Sequence, residues 1–489
     1  MRPHPSTIAA AFAAVSILIA HAAAAQDRQY QVQIQAGIQA TDNVLFTPRN
    51  GPASAVCDDG NPANDGQNCP TFGFIGEVNP SAVFTYETPR WLHALAYNFV
   101  LQWNMGGQDQ VNFENGLEAR SRYDVSELTQ TTHGLRAQFG QQTFFPQAAP
   151  GMNGTAAAFQ PQAQEFHYLN LEVQQGVIRA LGEDTGFNGN LTLQTFQPIQ
   201  DLSIDRAEQQ QPPRAGLYNA NLNLALQHDD APTEYGVAAG SQLAAFDIYC
   251  RFAAECGDAE AFACVENRCV IKEGQLTPAR EEELRAIATS PQLLSRLVGS
   301  VRQDWQNGFS TDLDLGVQHV VRLLDLGGQN VQPVGRVAIR YEREEANLEL
   351  TYNHGAQINP AVVGVVMADN VELTGNVPID RETRDLLFQM QLGYQHGSLI
   401  DDFGELTPTF NLIATDVAFE YRPRRWLPAA TIALRYQFRF QITEQLVGGR
   451  GALGGGEEAG ALADGPLNAM RNTVLLNFGY QFPERGQAQ

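Results

Sequence analysis

Three features of this 489-residue chain predict an all-β fold, a transmembrane antiparallel up-and-down β-barrel of about 16–18 strands. The first is a repeated alternation of apolar and polar residues with a period of two, which is typical of strands with two unlike faces. The second is the length of these segments, which suits the thickness of a bilayer. The third is an N-terminal export signal in a chain that lacks the ~20 consecutive apolar residues of a membrane helix.

The export signal is predicted at residues 1–25. Arg2 precedes an apolar stretch, and the stretch ends before the small residues Ala23-Ala24-Ala25, a composition typical of a signal peptide and its cleavage site. We therefore expect cleavage before Gln26 and a barrel formed by residues 26–489.

The segment from Trp91 to Trp103 shows the alternation most clearly. Its odd positions carry large apolar or aromatic residues, and its even positions include Ala94 and Asn98. The two tryptophans would lie about 40 Å apart along a strand, or about 30 Å apart across a bilayer after tilting. The pattern recurs at 218–227, 386–395, 432–441 and 474–482. A soluble β-sandwich would alternate too, but the export signal, segment length and aromatic ends favour a transmembrane barrel.

The alternation and the intervening turn residues predict about 17 strands. They lie at 28–45, 73–87, 91–104, 113–124, 130–143, 165–178, 186–197, 215–227, 233–247, 306–323, 333–343, 346–356, 364–375, 385–397, 408–421, 426–441 and 470–482. A barrel with both ends in the periplasm needs an even number, and the up and down assignments conflict between residues 300 and 345. We therefore expect that one strand in this region is merged or missed.

The connections between strands are predicted to differ at the two ends. Short proline-containing turns at Tyr86–Leu92 and Tyr421–Leu427 resemble one another and are expected in the periplasm. Longer connections, expected outside, lie at 46–72, 144–164, 198–214, 248–300, 357–363 and 446–468. A barrel of this size encloses an aqueous lumen unless loops plug it.

The polar faces of these strands carry acids and arginines in nearly equal numbers. The residues predicted to line the lumen are Glu114, Glu118, Arg120, Arg122, Arg136, Glu172, Asp312, Asp314, Arg322, Arg336, Arg340, Glu342, Glu349, Asp416, Glu420, Arg435 and Arg439. Such a wall would orient and screen polar solutes without strong ion selectivity. The formal net charge of −23 is therefore expected mostly in loops and turns, and it argues against nucleic acid as a partner.

All six cysteines fall in two predicted outer loops, Cys57 and Cys69 in the first and Cys250, Cys256, Cys264 and Cys269 in the second. An even number in an oxidising compartment predicts disulfides, with Cys57 and Cys69 as a local pair and three possible connectivities for the other four. Metal binding is the alternative, but the close Cys-x-x-Cys spacing of zinc sites is missing. No metal site or cofactor is predicted.

The connection at 248–300 is long enough to fold by itself. Thr277-Pro278 and Ser290-Pro291 each read as a helix start. The apolar residues that follow would form a stripe on a helix: Leu293, Leu294, Leu297 and Val298. These features predict a disulfide-stapled helical cap, which would either cover or enter the pore mouth or form a rigid surface elaboration.

No catalytic role is predicted. The sequence contains neither a His-Glu-x-x-His nor a Gly-x-Ser-x-Gly motif. The one cluster of acid beside base is His228-Asp229-Asp230, and we interpret it as a polar periplasmic turn.

Both ends of the chain resemble those of known outer-membrane proteins. The final strand carries Phe478, Tyr480 and Phe482 on one face, and it resembles the closing signal that the barrel assembly machinery reads. Pro483 to Gln489 follow it, whereas that signal usually ends on the aromatic residue. The first strand ends in Thr41-Asp42-Asn43-Val44-Leu45-Phe46, which resembles the opening of a family of bacterial β-barrel porins that includes barrels linked to exopolysaccharide export.

These observations predict an outer-membrane protein of a Gram-negative bacterium, in contact with lipid, lipopolysaccharide and the barrel assembly machinery. Three functions remain open. The amide-rich, charge-balanced wall favours a porin-like channel for small polar solutes. The family resemblance implies the alternative of a conduit for polysaccharide export. An occluded lumen would instead indicate a surface interaction or structural barrel.

Overall fold

The computed structural model describes residues 28–42, 72–104, 111–142, 166–199, 214–249, 262–265, 268–271, 291–322, 325–343, 346–359, 364–380, 385–400, 406–423, 427, 429–443 and 467–482. The strands are Arg28–Thr41 (β1), Gly73–Glu87 (β2), Trp91–Asn104 (β3), Val111–Ser126 (β4), Thr129–Gln142 (β5), Phe166–Ala180 (β6), Thr185–Ile199 (β7), Arg214–Asp230 (β8), Thr233–Tyr249 (β9), Phe262–Val265 (β10), Arg268–Ile271 (β11), Gln292–Asp304 (β12), Phe309–Arg322 (β13), Asp325–Arg343 (β14), Ala346–Asn359 (β15), Gly364–Pro378 (β16), Leu386–Ile400 (β17), Leu406–Tyr421 (β18), Ala430–Thr443 (β19) and Leu467–Phe482 (β20). The predicted signal peptide lies outside the described residues.

Eighteen of these strands form one closed antiparallel barrel. Strands adjacent in sequence pair along the wall, and β1 closes the barrel by pairing with β20, where Ile34 lies opposite Tyr480. The short strands β10 and β11 form a hairpin beyond the end of β9, and β9 pairs directly with β12. The predicted barrel topology is therefore confirmed, with an even number of strands.

The two faces of the wall differ as the alternation predicted. Leu297 and Leu315 leave 54% and 60% of their surface exposed, whereas Gln138 and Asn170 on the opposite face leave 3% and 2%. The shielded face of a closed barrel is its inner one. Apolar side chains therefore face outward toward lipid, and amide side chains face the lumen.

The outward face also carries a repeated hydrogen bond that the alternation does not reveal. A tyrosine hydroxyl donates to an Asn or Asp on the next strand in four places: Tyr97 to Asn115 at 3.0 Å, Tyr352 to Asp369 at 2.7 Å, Tyr394 to Asn411 at 2.9 Å and Tyr436 to Asn472 at 2.7 Å. Each bond gives a tyrosine hydroxyl on the outward face a hydrogen-bond partner within the wall.

The connections at one end of the barrel, which we call the short-turn end, are all short. They include 88–90, 127–128, 181–184 and 231–232. The opposite, long-loop end has the longest connections, at 42–72, 143–165, 200–213, 250–291 and 444–466, and shorter ones at 105–110, 323–324, 360–363 and 401–405. By the usual arrangement of bacterial barrels, the short-turn end faces the periplasm.

The segment after Ser290-Pro291 is a strand, so the predicted helix there was wrong. β12 pairs with β9 on one side and with β13 on the other. The four residues of the predicted stripe divide between the two faces, with Leu293 and Leu297 outward and Leu294 and Val298 inward. Without β12, β9 and β13 would each leave an unpaired edge, which a membrane barrel cannot expose to lipid. β12 is the strand missing from the predicted count.

The predicted cap over 248–300 is correspondingly smaller than expected. Its described part includes the hairpin of β10 and β11, and the helix start at Thr277-Pro278 lies outside the described residues. In the part of the chain that the structure describes, no helix has the length and apolar character needed to cross a membrane.

The start of β13 also differs from the prediction. Residues Gln306–Gly308 form a 3₁₀ turn, and β13 begins at Phe309. Asn307 and Gly308 adopt positive φ angles of 73° and 81°, a conformation that asparagine and glycine accept most readily. These two residues therefore end the strand pattern that the sequence suggested from 306 onward.

Candidate functional site: the barrel lumen

The inner face of β12 to β15 carries an ordered set of ion pairs. Arg340 lies between two carboxylates, with Nη1 2.8 Å from Asp312 Oδ2 and Nε 3.2 Å from Glu349 Oε1. Arg336 repeats the arrangement, with its two terminal nitrogens 3.9 Å from Asp314 Oδ2 and 3.4 Å from Glu349 Oε1. Five predicted charges of this sector, Asp312, Asp314, Arg336, Arg340 and Glu349, therefore each have a partner of opposite sign.

Two further arginines belong to this sector and were missed in the sequence. Arg302 on β12 places Nε 3.8 Å from Asp312 Oδ1, and Arg296 donates from Nη2 to Asn223 Oδ1 at 3.0 Å. They were missed because their segment was interpreted as a helix. The alternation of Arg296, Val298, Ser300 and Arg302 with outward residues could have revealed them.

A second charged sector lies on β4 to β6. The strand registers place Arg136 directly between Glu118 and Glu172. Arg120 forms an ion pair with Glu118, and Arg122 extends toward Asp124 at the short-turn end. The predicted lumen residues of this sector lie on one face and in adjacent rows.

A chain of buried amides runs across the same part of the wall, nearer the long-loop end. Gln138 donates to Glu114 at 3.1 Å, Asn170 donates to Gln138 at 3.0 Å, and Gln194 donates to Asn170 at 3.2 Å. The Tyr168 hydroxyl donates to the other oxygen of Glu114 at 2.7 Å. Gln138 and Asn170 each donate and accept, so the row of hydrogen bonds is polarised toward the carboxylate.

The third charged sector spans β17 to β20. Asp416 accepts from Gln437 at 2.8 Å and lies 3.3 Å from Arg435 Nε. Glu420 lies 2.5 Å from Arg422 Nε and accepts from Gln389 at 3.3 Å. The predicted residue Arg439 lies opposite Arg471, which the prediction did not include.

The structure thus distributes the predicted lumen residues over three sectors rather than bringing them together. The remaining two of the set, Arg322 and Glu342, lie at opposite ends of the wall, opposite Asp325 and Asn347 respectively. Ion pairs within the sectors leave amides as the other main polar groups of the wall. Such a surface can both donate hydrogen bonds to a solute and accept them from it, and it has no strong positive or negative electrostatic potential.

Near the long-loop end the wall divides between β14 and β15. The β14–β15 ladder stops at the pair Gly335 and His354, although β15 and β16 remain paired as far as Asn359 and Gly364. If the β14–β15 register continued, the partner of Ala356 would be Pro333. Proline has no N–H to contribute to a ladder, which accounts for the stop.

Beyond this point β15 is bonded to β13 instead. The Gln318 side chain accepts from the Ala356 N–H at 2.9 Å and donates to the Ala356 carbonyl at 3.2 Å. Since β14 lies between β13 and β15 in the wall, this contact requires the end of β15 to lie over the inner face of β13.

A buried apolar cluster fills the space between the two layers. Residues 355–359 and 364–368, which we call the inner hairpin, contribute Ile358, Val365 and Met367, with Ala356 packed against them. The wall contributes Leu217, Ala244, Leu294 and Val320, with Phe196 packed against them. These wall residues lie on β7, β8, β9, β12 and β13, so they can meet the inner hairpin only inside the barrel.

The inner hairpin corrects one prediction. The connection at 357–363 was expected to face outside, but the described residues on both of its sides fold inward. The run from Val365 to Ala368 is buried on both faces, with 1–3% of each residue exposed. A continuous apolar run is typical of a strand covered on both faces.

The predicted disulfide and assembly residues are only partly described. The backbone register places Cys264 of β10 opposite Cys269 of β11, and the other four cysteines lie outside the described residues. Phe478 and Phe482 are exposed on the outward face of β20, and the ring of Tyr480 lies 5.0 Å from that of Phe482. Among the described residues, no group of three or more His, Cys, Asp and Glu is arranged to hold a metal ion.

No protein-family model matches the chain, and no curated protein matches its sequence. The solved structures with a similar fold include the following three. The siderophore receptor PirA from Acinetobacter baumannii is 7% identical, with 94% of this chain and 81% of that chain covered and a TM-score of 0.46. The FrpB iron transporter from Neisseria meningitidis is 9% identical, with 94% and 82% covered and a TM-score of 0.44. OpdL from Pseudomonas aeruginosa is 9% identical, with 94% and 100% covered and a TM-score of 0.42.

The closed barrel and its apolar outer surface show what kind of protein this is. A closed antiparallel barrel pairs the backbone of every wall strand with two neighbours, and its apolar outward face suits lipid. Barrels of this kind, with an even number of strands, span bacterial outer membranes. The chain is an 18-stranded β-barrel of a Gram-negative outer membrane.

Proposed function

We propose that the protein is a porin-like channel for small polar solutes that carry little net charge. The observation that carries this proposal is the pairing of acids with arginines on the inner wall, as in Asp312, Arg340 and Glu349. Because these charges neutralise one another locally, the wall favours solutes that donate and accept hydrogen bonds over ions of one sign.

The amides of the wall support the same class of solute. Gln29, Gln31, Gln33, Gln35 and Gln39 alternate along β1, and Asn219, Asn221 and Asn223 alternate along β8. A carboxamide can donate and accept at once, as a hydroxyl group does. Sugars, polyols and zwitterions of low mass are therefore the solutes that this wall suits best.

Osmotic swelling of liposomes tests the proposal. The full chain is reconstituted, and the liposomes are diluted into neutral sugars of increasing size, with protein-free liposomes as the control. We expect rapid swelling with the smallest sugars and slower swelling as the sugar size increases. Exclusion of even the smallest sugar would reject a passive channel for polar solutes.

Three accompanying properties remain proposals. The exposed aromatic residues of β20 suit recognition by the barrel assembly machinery, and the outer rim suits contact with lipopolysaccharide. The opposed backbone positions of Cys264 and Cys269 support a disulfide within the β10–β11 hairpin. Mass spectrometry of the unreduced, proteolysed protein would detect that link, and recovery of both residues as free thiols would reject it.

A further inference from the structure

The division of the wall between β14 and β15 has a consequence for the lumen. At the short-turn end the wall is a single layer, since β14 pairs with β15 from Arg343 to Gly335. Toward the long-loop end the inner hairpin lies inside β12 and β13, so the wall is doubled there. A second layer of backbone and side chains occupies space that would otherwise belong to the lumen.

The doubled arrangement is fixed by specific contacts. Gln318 pairs with both backbone groups of Ala356, and those groups would otherwise lie unpaired at a strand edge. Pulling the hairpin back into the wall would place Ala356 opposite Pro333, which cannot supply the missing bond. It would also expose the inward side chains of Leu294 and Val320, which keep only 2% and 4% of their surface exposed, to lumen water.

We propose that the inner hairpin is the constriction that sets the size limit of the channel, and that Gln318 is the positioning residue that holds it in place. This inference rests on the channel function proposed above. It adds the place in the lumen at which solutes are selected by size. The constriction lies toward the long-loop end, so a solute entering from outside meets it before the ion pairs of Asp312, Arg340 and Glu349, which lie nearer the short-turn end.

Removing the hairpin tests the proposal. Gly355 and Ala368 are direct partners across β15 and β16, so residues 356–367 can be replaced by an Asn-Gly turn, which suits a two-residue hairpin. A second variant, Gln318→Leu, removes only the two hydrogen bonds. Its matched control is Gln303→Leu, which also removes two side-chain hydrogen bonds, one accepted from Thr233 and one donated to the Asp304 carbonyl, but on the outward face of β12 near the short-turn end.

The measurements are single-channel conductance in planar bilayers and the sugar size limit in liposomes. All variants are the full chain, and each is first shown to be folded by its heat-dependent migration on SDS gels. We expect the shortened variant to conduct severalfold better than the wild type and to admit larger sugars. Gln318→Leu should shift both values in the same direction by less, and Gln303→Leu should leave both unchanged.

The outcomes separate this inference from the channel proposal. A conducting wild type with unchanged conductance and size limit in both hairpin variants overturns the constriction and leaves the channel intact. A closed wild type that opens in the shortened variant contradicts a passive channel and supports the hairpin as a complete obstruction. If neither the wild type nor the shortened variant conducts, the channel proposal and the constriction proposal both fail. If the shortened variant does not refold, an unchanged Gln318→Leu overturns the constriction.

Discussion

Arg340 shows at the scale of one residue how a wall with many charges keeps little net charge. Its guanidinium group contacts Asp312 on one neighbouring strand and Glu349 on the other. The alternation of polar and apolar residues in the sequence correctly predicted that all three side chains lie on the same face of the wall. The ion pairs could not be predicted, because they depend on the register of strands whose bounds are known only from the structure.

Arg340→Leu should make the channel prefer cations. The substitution leaves Asp312 and Glu349 without their shared partner, so the local potential becomes negative. The potassium-to-chloride permeability ratio, measured from the reversal potential under a KCl gradient, should rise severalfold. Arg340→Lys keeps the positive charge and should remain close to the wild type. An unchanged ratio in Arg340→Leu would show that this sector does not face the conducting path.

The row of hydrogen-bonded amides on β4 to β7 should stabilise the fold. Gln138→Leu removes a donor to Glu114 and an acceptor of Asn170, and leaves both without that partner. We expect a loss of about 1–3 kcal/mol in the free energy of unfolding, measured in urea with detergent-folded protein. Gln33→Leu on the inner face of β1, where the side chain is half-buried, should cost less. Equal losses of stability in Gln138→Leu and Gln33→Leu would show that the hydrogen-bonded amides on β4 to β7 contribute no extra stability.

β12 illustrates, at the scale of an element, why a short apolar pattern can mislead. Adjacent pairs of apolar residues separated by two positions fit one face of a helix, and they also fit a strand that is apolar on both faces near its start. The proline after a possible cap residue favoured the helix. The deciding fact is tertiary, because β9 and β13 both need a partner, and this also hid Arg296 and Arg302 from the predicted lumen residues.

Two substitutions one residue apart test the strand at β12. Leu297 faces outward and Val298 inward, so Leu297→Arg would place a charge against lipid at a cost of about 2–4 kcal/mol near the bilayer centre. Val298→Arg would place the same charge in the lumen. We expect Leu297→Arg to fold in much lower yield in lipid vesicles and Val298→Arg to fold nearly as well as the wild type. Equal yields would contradict a membrane-spanning β12.

For the whole molecule, the sequence predicted the class of fold and the two faces of the wall well. Period-two alternation reports directly which side of a strand meets lipid, and an even strand number follows from the barrel's topology. The inner hairpin could not be predicted in this way. Residues such as Ile358 and Met367 follow the outward pattern of β15 and β16 but end inside the barrel, because Gln318 and the apolar cluster on distant strands hold them there.

The central claim is that the barrel encloses a water-filled path whose charges balance. The reversal potential of the reconstituted wild-type chain in a planar bilayer, under a KCl gradient, tests it most directly. We expect discrete conductance steps with a reversal potential near zero. A reversal potential close to that of a purely cation- or anion-selective pore, or the complete lack of conductance from protein shown to be folded, would contradict the claim.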